Sequence, residues 1–352
     1  MRVLAVLAAA AVLAAGTPVK AATAAPAAPA IQMTEFMAPT GDPGISLYLR
    51  NKHPRTMTAF RPQNVVLFVH GSTYPAETSF DLPLAGMSWM DYIARHGYDV
   101  WLVDVRGYGK SSRPPEMDQP AGANPPIVHT TTAVQDVGTA VDFIKAKRHV
   151  SKIDLIGWSW GTTMMGMYTA DHNSNVNKLV LYAPQWLRAA GSVALTAQAG
   201  PLGAYRSVSM ASAKTRWLTG VPADKAQTLI PAGWFEQWAA ATLASDPVGS
   251  KIDPPVLRAP NGTVADTADY WAAGKPLYDP SRITVPTLLI HAEWDQDLPT
   301  YMDEAYYKLL TNVPYKRYVQ IGEGTHTIIM EKNRLQLFSE VQLFLDERRV
   351  TQ

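Results

Sequence analysis

The sequence predicts an α/β protein: a mostly parallel sheet with helices on both faces and a helical segment inserted late in the chain. Three observations carry this. Largely apolar runs recur at Val65 to Val69, Asp99 to Val103, Ile153 to Ile156, Lys178 to Tyr182 and Thr287 to Ile290, and strands apolar on both faces belong in a sheet covered from both sides. Helix-spaced segments separate these runs, so successive strands are joined by crossovers and run parallel. Between Pro184 and Asp279 the strand runs stop, and short helical stretches alternate with proline and glycine.

Taken in order, Met33 to Met37 and Ile45 to Leu49 flank the turn-forming Thr40-Gly41-Asp42-Pro43-Gly44 and predict an opening hairpin at a sheet edge. Val65 to Val69 follows and ends at His70-Gly71-Ser72. Met87 to His96 has helical spacing and stops at Gly97. Asp99 to Val103 leads into Asp104-Val105-Arg106-Gly107-Tyr108-Gly109-Lys110-Ser111, which lacks the spacing of a phosphate loop, and Pro114-Pro115 prevents a helix from opening there. This piece reads as a structural turn in which Asp104 and Arg106 satisfy loop backbone.

Glu116 to His129 is proline-rich and irregular, and Thr132 to Lys147 is a helix with apolar residues at Val134, Val137, Val141 and Ile144. Ile153 to Ile156 runs into Gly157-Trp158-Ser159-Trp160-Gly161 and then a helix to about Asp171. After the strand at Lys178 to Tyr182 comes the insertion, with Trp186, Trp217, Trp234, Trp238 and Trp271, half of the chain's ten tryptophans. The pattern resumes with the strand Thr287 to His291, a helix from about Tyr301 to Leu310, a strand at Lys316 to Gln320, the turn Gly322 to His326 and a last helix ending near Arg348. The expected organisation is a core formed by residues 33–183 and 280–352, with a helical cap at 184–279.

Of the 352 residues, 47% are hydrophobic and 17% charged, which supplies a sizeable core and argues against disorder over most of the length. The formal net charge of +1 gives no electrostatic footprint for nucleic acid or an acidic partner. Arg2, the apolar run to Ala15 and the small-residue pattern at Val19 to Ala24 read as an export signal over residues 1–24, followed by a flexible Ala/Pro leader at 25–32. The apolar stretch is shorter than the roughly 20 residues a spanning helix needs, so a periplasmic or secreted protein without a stable membrane anchor is expected. The chain has no cysteine, hence no disulfide. No His-x-x-x-His or clustered carboxylate pattern calls for a metal, and no motif calls for a cofactor.

The chemistry begins at Ser159. A strand, a sharp turn and a helix around Gly-x-Ser-x-Gly form the context of a nucleophile elbow, in which side chains at Gly157 and Gly161 would collide with neighbouring backbone. The same pentapeptide is also compatible with an ordinary turn carrying a surface serine. A serine becomes nucleophilic only when an oriented base takes its proton. Among the eight histidines, His326 sits in a glycine-flanked turn after a late strand. Asp295 and Asp297 compete for the orienting acid; Asp295 is preferred, with Asp297 as a solvated turn or helix-start carboxylate. The developing oxyanion needs donors: the Trp160 amide, and the Ser72 amide with Thr73 as the alternative. Trp158 and Trp186 are candidate substrate contacts.

In combination, His70-Gly71 after a buried strand, Asp104 to Ser111, Gly157 to Gly161, Glu293-Trp294-Asp295 and Gly324-Thr325-His326 resemble the α/β-hydrolase fold superfamily over nearly all of the chain beyond the leader. The resemblance implies an eight-stranded core, a cap between the sixth strand and the following helix, and a Ser159, Asp295 and His326 triad. Haloalkane dehalogenases and epoxide hydrolases share the architecture but use an aspartate nucleophile, and Ser159 argues against both. The lipase-type His-Gly-Gly-Gly loop is absent, and His70-Gly71-Ser72-Thr73-Tyr74-Pro75 is longer than the common His-Gly-x-Pro form. The elbow is similar to that of proline iminopeptidases, for which Glu236, Asp246 and Asp253 are the candidate acidic cap residues.

The expected function is hydrolysis of a small-molecule carboxylic ester through an acyl-enzyme. The cap, read as aromatic and sparsely charged, predicts a hydrophobic or aromatic acyl or alcohol portion. The alternatives are an aminopeptidase or amidase, a lactonase using the same residues, and a non-catalytic binding module of the same fold.

Overall fold

A computed structural model describes residues 29–191 and 200–347; the expected export signal and the first half of the expected leader, residues 25–28, lie outside the described residues. The strands are β1 (Ile31–Pro39), β2 (Ser46–Pro54), β3 (Val65–Val69), β4 (Asp99–Val103), β5 (Ile153–Trp158), β6 (Val176–Tyr182), β7 (Tyr205–Val208), β8 (Leu257–Pro260), β9 (Thr287–Ala292) and β10 (Lys316–Ile321). The α-helices are α1 (Ala76–Phe80), α2 (Trp89–Arg95), α3 (Thr130–Arg148), α4 (Trp160–Asp171), α5 (Met210–Trp217), α6 (Ala226–Leu229), α7 (Trp234–Ala244), α8 (Gly262–Asp266), α9 (Tyr301–Leu309) and α10 (Arg334–Asp346).

Eight strands form one sheet in the order β1-β2-β4-β3-β5-β6-β9-β10. The opening hairpin β1–β2 is antiparallel and lies at the edge, β2 pairs antiparallel with β4, and every pairing from β4 through β10 is parallel. The largely apolar strands behave as their composition requires: every residue of β3, β4, β5 and β9 is buried. Helix α2 begins two residues later than the sequence reading from Met87, because Ser88 and Asp91 form a reciprocal capping box there.

Because β3, β5, β6, β9 and β10 run the same way, the loops after them emerge at one rim. This is the geometric reason why Ser72, Ser159, Asp295 and His326 can meet despite their separation in sequence.

The segment between β6 and β9 departs from expectation in one respect. It contains a two-stranded antiparallel ribbon, β7 with β8, in register from Tyr205 opposite Pro260 to Val208 opposite Leu257. Each strand has only four residues and carries an arginine, Arg206 or Arg258, so neither shows an apolar run. What makes them strands is their pairing across some fifty residues of chain.

Candidate active site

The turn from β5 into α4 holds Ser159 at φ 59°, ψ −125°, a backbone conformation that side-chain-bearing residues rarely adopt. The flanking glycines allow it. A Cβ at Gly157 would be driven into the Gly161 carbonyl, and one at Gly161 into the carbonyls of Val69 and His70. The Ser159 amide donates to the Tyr182 carbonyl at 3.0 Å, and the Thr162 amide and hydroxyl return to the Ser159 carbonyl at 2.8 and 2.5 Å. The elbow is therefore tied to its own helix and to the next strand.

His326 lies in the turn after β10, and its Nδ1 is 2.7 Å from Asp295 Oδ2. Asp295 is 2% exposed. Burial works to raise its pKa, but the adjoining His326 imidazole and the backbone amides hold it below the ordinary carboxylate value, so it is ionised. An ionised acceptor at Nδ1 requires that nitrogen to carry the proton, which leaves Nε2 as a base. Asp295 Oδ1 is occupied by the amides of Asp297 and Leu298 at 2.9 and 3.0 Å. The two turns are also joined directly, since the Trp294 amide donates to the Gly324 carbonyl at 2.8 Å. The backbone carbonyl of His326 receives Trp158 Nε1 at 3.0 Å and the Tyr182 hydroxyl at 2.5 Å. Trp158 also places its ring against the imidazole, with centroids 5.4 Å apart.

Asp297 is not the solvated turn residue the sequence predicts. It is 8% exposed, and both its oxygens accept from Arg216 Nε at 2.8 and 2.9 Å. An aspartate two residues from the preferred acid thus closes an ion pair to α5 instead of facing water.

On the opposite side of Ser159, the β3 turn is fixed by His70. Its Nε2 accepts the Val105 amide at 3.1 Å, so Nδ1 carries the proton and donates to the Gly71 carbonyl at 2.7 Å. Burial lowers the pKa of His70 to about 4, which keeps this tautomer neutral. In a trans peptide the Ser72 N–H points opposite to the Gly71 carbonyl. Tyr108 and Arg206 hold the Ser72 carbonyl at 2.8 and 2.6 Å. Among the described residues, neither the Ser72 nor the Trp160 amide has a protein acceptor. Gly71 is where a side chain would intrude, since its Cβ would fall 3.0 Å from Ser159 Cβ.

Two recesses adjoin Ser159. The first is lined by Tyr74, Trp158, Ala213, Trp217, His326 and Thr327 together with Gly71, Ser72, Thr73, Arg216 and Asp297. The second is bounded by Trp160, Gln185, Arg188, Thr263, Thr267 and Leu298, sharing Ser72, Ser159, Arg216 and Asp297 with the first. Both are narrow, with a cavity volume of about 20 Å³ each, and open to solvent.

Several sequence expectations land elsewhere. Trp186 is 4% exposed and packs edge-on against Tyr278 and Tyr306, outside both recesses, so its role is in packing. Trp238 and Trp271 are likewise buried, Trp238 in a cluster with Tyr74, Trp217 and Phe235. The insertion is not sparsely charged where it meets the serine: Arg188, Arg206 and Arg216 converge there.

None of the acidic residues considered for amine recognition lines either recess. Glu236 lies at the surface 3.8 Å from Lys214, Asp246 is buried against Arg258, and Asp253 is exposed. Asp104 does satisfy loop backbone, accepting from the amides of Ala76 and Lys110 at 2.8 and 3.0 Å. The Arg106 guanidinium instead binds the carboxylates of Asp136 and Asp42. Sequence reasoning missed Tyr182 and the three arginines. Only the position of Tyr182 at the end of a strand offered a local signal.

Among the described residues no group of three or more side chains is arranged to hold a metal ion, and no helix is long and apolar enough to cross a membrane.

The family described as the alpha/beta hydrolase fold matches residues 64–333. Protein ABHD8 of Bos taurus and of Homo sapiens is each 26% identical over 244 residues, which are 69% of this chain. The chain spans about half the length of these curated relatives, 48% of each. Among solved structures, the 2-hydroxy-6-oxo-6-phenylhexa-2,4-dienoate hydrolase BphD from Rhodococcus sp. strain RHA1 superposes with a TM-score of 0.60 at 14% identity, over 90% of this chain and 99% of that one. An esterase from Exiguobacterium antarcticum superposes with a TM-score of 0.55 at 19% identity, over 88% and 99%. At these identities the structural likeness speaks for the fold.

Proposed function

The chain belongs to the α/β-hydrolase fold family, and on that premise we propose that it is a serine hydrolase cleaving a carboxylic ester through an acyl-enzyme on Ser159. The observation that carries this reading is the 2.7 Å contact of Asp295 with His326, in a recess that the imidazole shares with a serine held in a strained elbow. His326 Nε2 takes the Ser159 proton as Oγ attacks the carbonyl. The Ser72 and Trp160 amides receive the developing oxyanion, and His326 returns the proton to the departing alcohol. Water activated by the same imidazole then releases the acid.

The aromatic wall of the first recess, Tyr74, Trp158 and Trp217, supports an apolar alcohol portion. An amide or lactone would use the same machinery, but among the described residues no carboxylate besides Asp297, already paired with Arg216, lines either recess to receive a substrate amine. This favours the ester over the aminopeptidase reading. A non-catalytic module is disfavoured because serine, histidine and acid are all present. The apolar N-terminal run supports export, which fractionation of cells producing the full chain with and without residues 1–24 tests directly.

A fluorophosphonate probe tests the proposal. It is expected to label wild-type protein on Ser159 and to leave Ser159→Ala unlabelled. Folded wild type that resists the probe, and is inert to a panel of ester, amide and lactone substrates, would remove the hydrolase reading.

A further inference from the structure

The two recesses differ in chemistry, and the difference assigns a polarity to the substrate. The first holds His326, and its walls include Tyr74, Trp158, Ala213 and Trp217. The second holds Trp160 and is walled by Gln185, Arg188, Thr263 and Thr267, with Arg216 reaching both. A general acid protonates the leaving oxygen, so the alcohol must lie on the imidazole side. The acyl chain then occupies the recess beyond the oxyanion donors, which is the cationic one.

The charges there are not balanced by the protein. Arg216 is paired with Asp297 at 2.8 Å. The Arg188 guanidinium donates to the backbone carbonyl of Asp297 at 2.8 Å, with the Asp297 and Asp295 carboxylates acting on it only at longer range. Arg206, 8% exposed, donates to the carbonyls of Pro260 and Ser72 and to the Thr73 hydroxyl. Among the described residues no carboxylate lies within ion-pair distance of Arg188 or Arg206. Asp295 is committed to His326, so the second recess is lined by two guanidiniums, Arg188 and Arg216, and by the single carboxylate of Asp297, while Arg206 stands behind it on the Ser72 carbonyl. Arg188 is half-buried, so its guanidinium is held away from bulk water without a carboxylate partner and remains open to an anion that enters the recess.

Resting on the ester-hydrolase reading, we propose that the recess formed by Arg188, Arg216, Gln185, Thr263 and Thr267 binds a carboxylate carried on the acyl portion of the substrate, making the protein a hydrolase of acidic half-esters with an apolar alcohol. Arg188 is the specificity residue: its unpaired guanidinium matches a carboxylate in two-pronged geometry that a lysine does not reproduce. Composition of the insertion pointed to an apolar acyl or alcohol portion without saying which. The geometry confines the apolar part to the alcohol.

The test compares monobenzyl glutarate with benzyl pentanoate, the same acyl chain with and without the terminal carboxylate, following release of benzyl alcohol. Wild type is expected to favour the acidic ester by ~10-fold or more in kcat/KM, the size of one charge-assisted contact. Arg188→Met is expected to bring that ratio close to one, and Arg188→Lys to retain part of it. A wild-type ratio at or below one, or a ratio unmoved by Arg188→Met, overturns the proposal while leaving the hydrolase reading intact if Ser159 is labelled. Calorimetry on Ser159→Ala supplies a readout independent of turnover. The acidic ester should bind more tightly than the neutral one and lose that advantage when Arg188→Met is added, and equal binding of the two esters would equally reject the subsite.

Discussion

Asp295 Oδ2 lies 2.7 Å from His326 Nδ1, whereas Asp297, two residues on, is held by Arg216 of α5. The division of labour between two neighbouring carboxylates follows from the turn after β9. The amides of Asp297 and Leu298 close onto Asp295 Oδ1 and direct its other oxygen to the histidine. Asp295→Asn should keep the shape but lose the ionised acceptor at Nδ1, lowering kcat by about 10⁴-fold. Asp297→Asn should cost no more than about tenfold, chiefly through displacement of Arg216. Steady-state kinetics of the two variants on one ester separates the roles, and the reverse ranking would make Asp297 the orienting acid.

The elbow stores conformational strain. Ser159 at φ 59°, ψ −125° occupies backbone space that glycine enters freely. Ser159→Gly should therefore abolish turnover yet raise Tm by roughly 1–3 °C, strain relief of order 1–3 kcal/mol being partly offset by the entropy glycine loses on folding. Ser159→Ala should be equally inactive without that gain. A lower Tm for the glycine variant would contradict stored strain at this position.

His326 is held through its main chain as well as its ring. The Tyr182 hydroxyl and Trp158 Nε1 both donate to its carbonyl. Tyr182→Phe removes one donor without changing the ring, and is expected to reduce kcat by roughly 3–10-fold with KM little altered, because positioning of the base is lost rather than substrate contact. A change confined to KM would instead place Tyr182 in substrate binding.

Glu331 joins the histidine turn to the insertion, accepting from the Thr325 amide, from the Thr325 hydroxyl and from Trp217 Nε1 at 2.8 Å. Burial pushes its pKa up to about 7. A carboxyl with a raised folded pKa binds more protons folded than unfolded. Its contribution is fully present below the unfolded value near 4.5 and is lost as pH rises through about 7. Buried Asp104 and Asp154, raised to about 6 and about 7, act in the same direction. Glu331→Gln should flatten the fall in stability between pH 5 and 8, so that the variant gains on wild type as pH rises. Urea midpoints at both ends of that window measure it. Parallel profiles would mean that Glu331 does not titrate there.

Much of the architecture was legible because its signals are local. Val65 to Val69 is a continuous apolar run, Asp99 to Val103 is one after its first residue, and both became buried strands with those same bounds. Gly157 and Gly161 announced the elbow because their missing side chains answer a steric demand within a few residues of Ser159. The chain order of serine, aspartate and histidine gave the candidate site, since parallel strands deliver their following loops to a common rim. Helix α1 and the β7–β8 ribbon were not legible: α1 is one short turn, and the ribbon exists only through pairing of segments distant in sequence.

What the sequence by itself determined is therefore the layered sheet, the elbow and the candidates for nucleophile, base and acid, all written in periodicity and in steric rules that act over a few residues. Tertiary structure decided which aspartate meets His326, that Trp186 fills the interior, and that Arg188, Arg206 and Arg216 gather beside Ser159. Those outcomes depend on which groups become neighbours when remote segments close over one another. Burial then sets the strength of each charge, and neither neighbourhood nor burial is a property of any single stretch of chain.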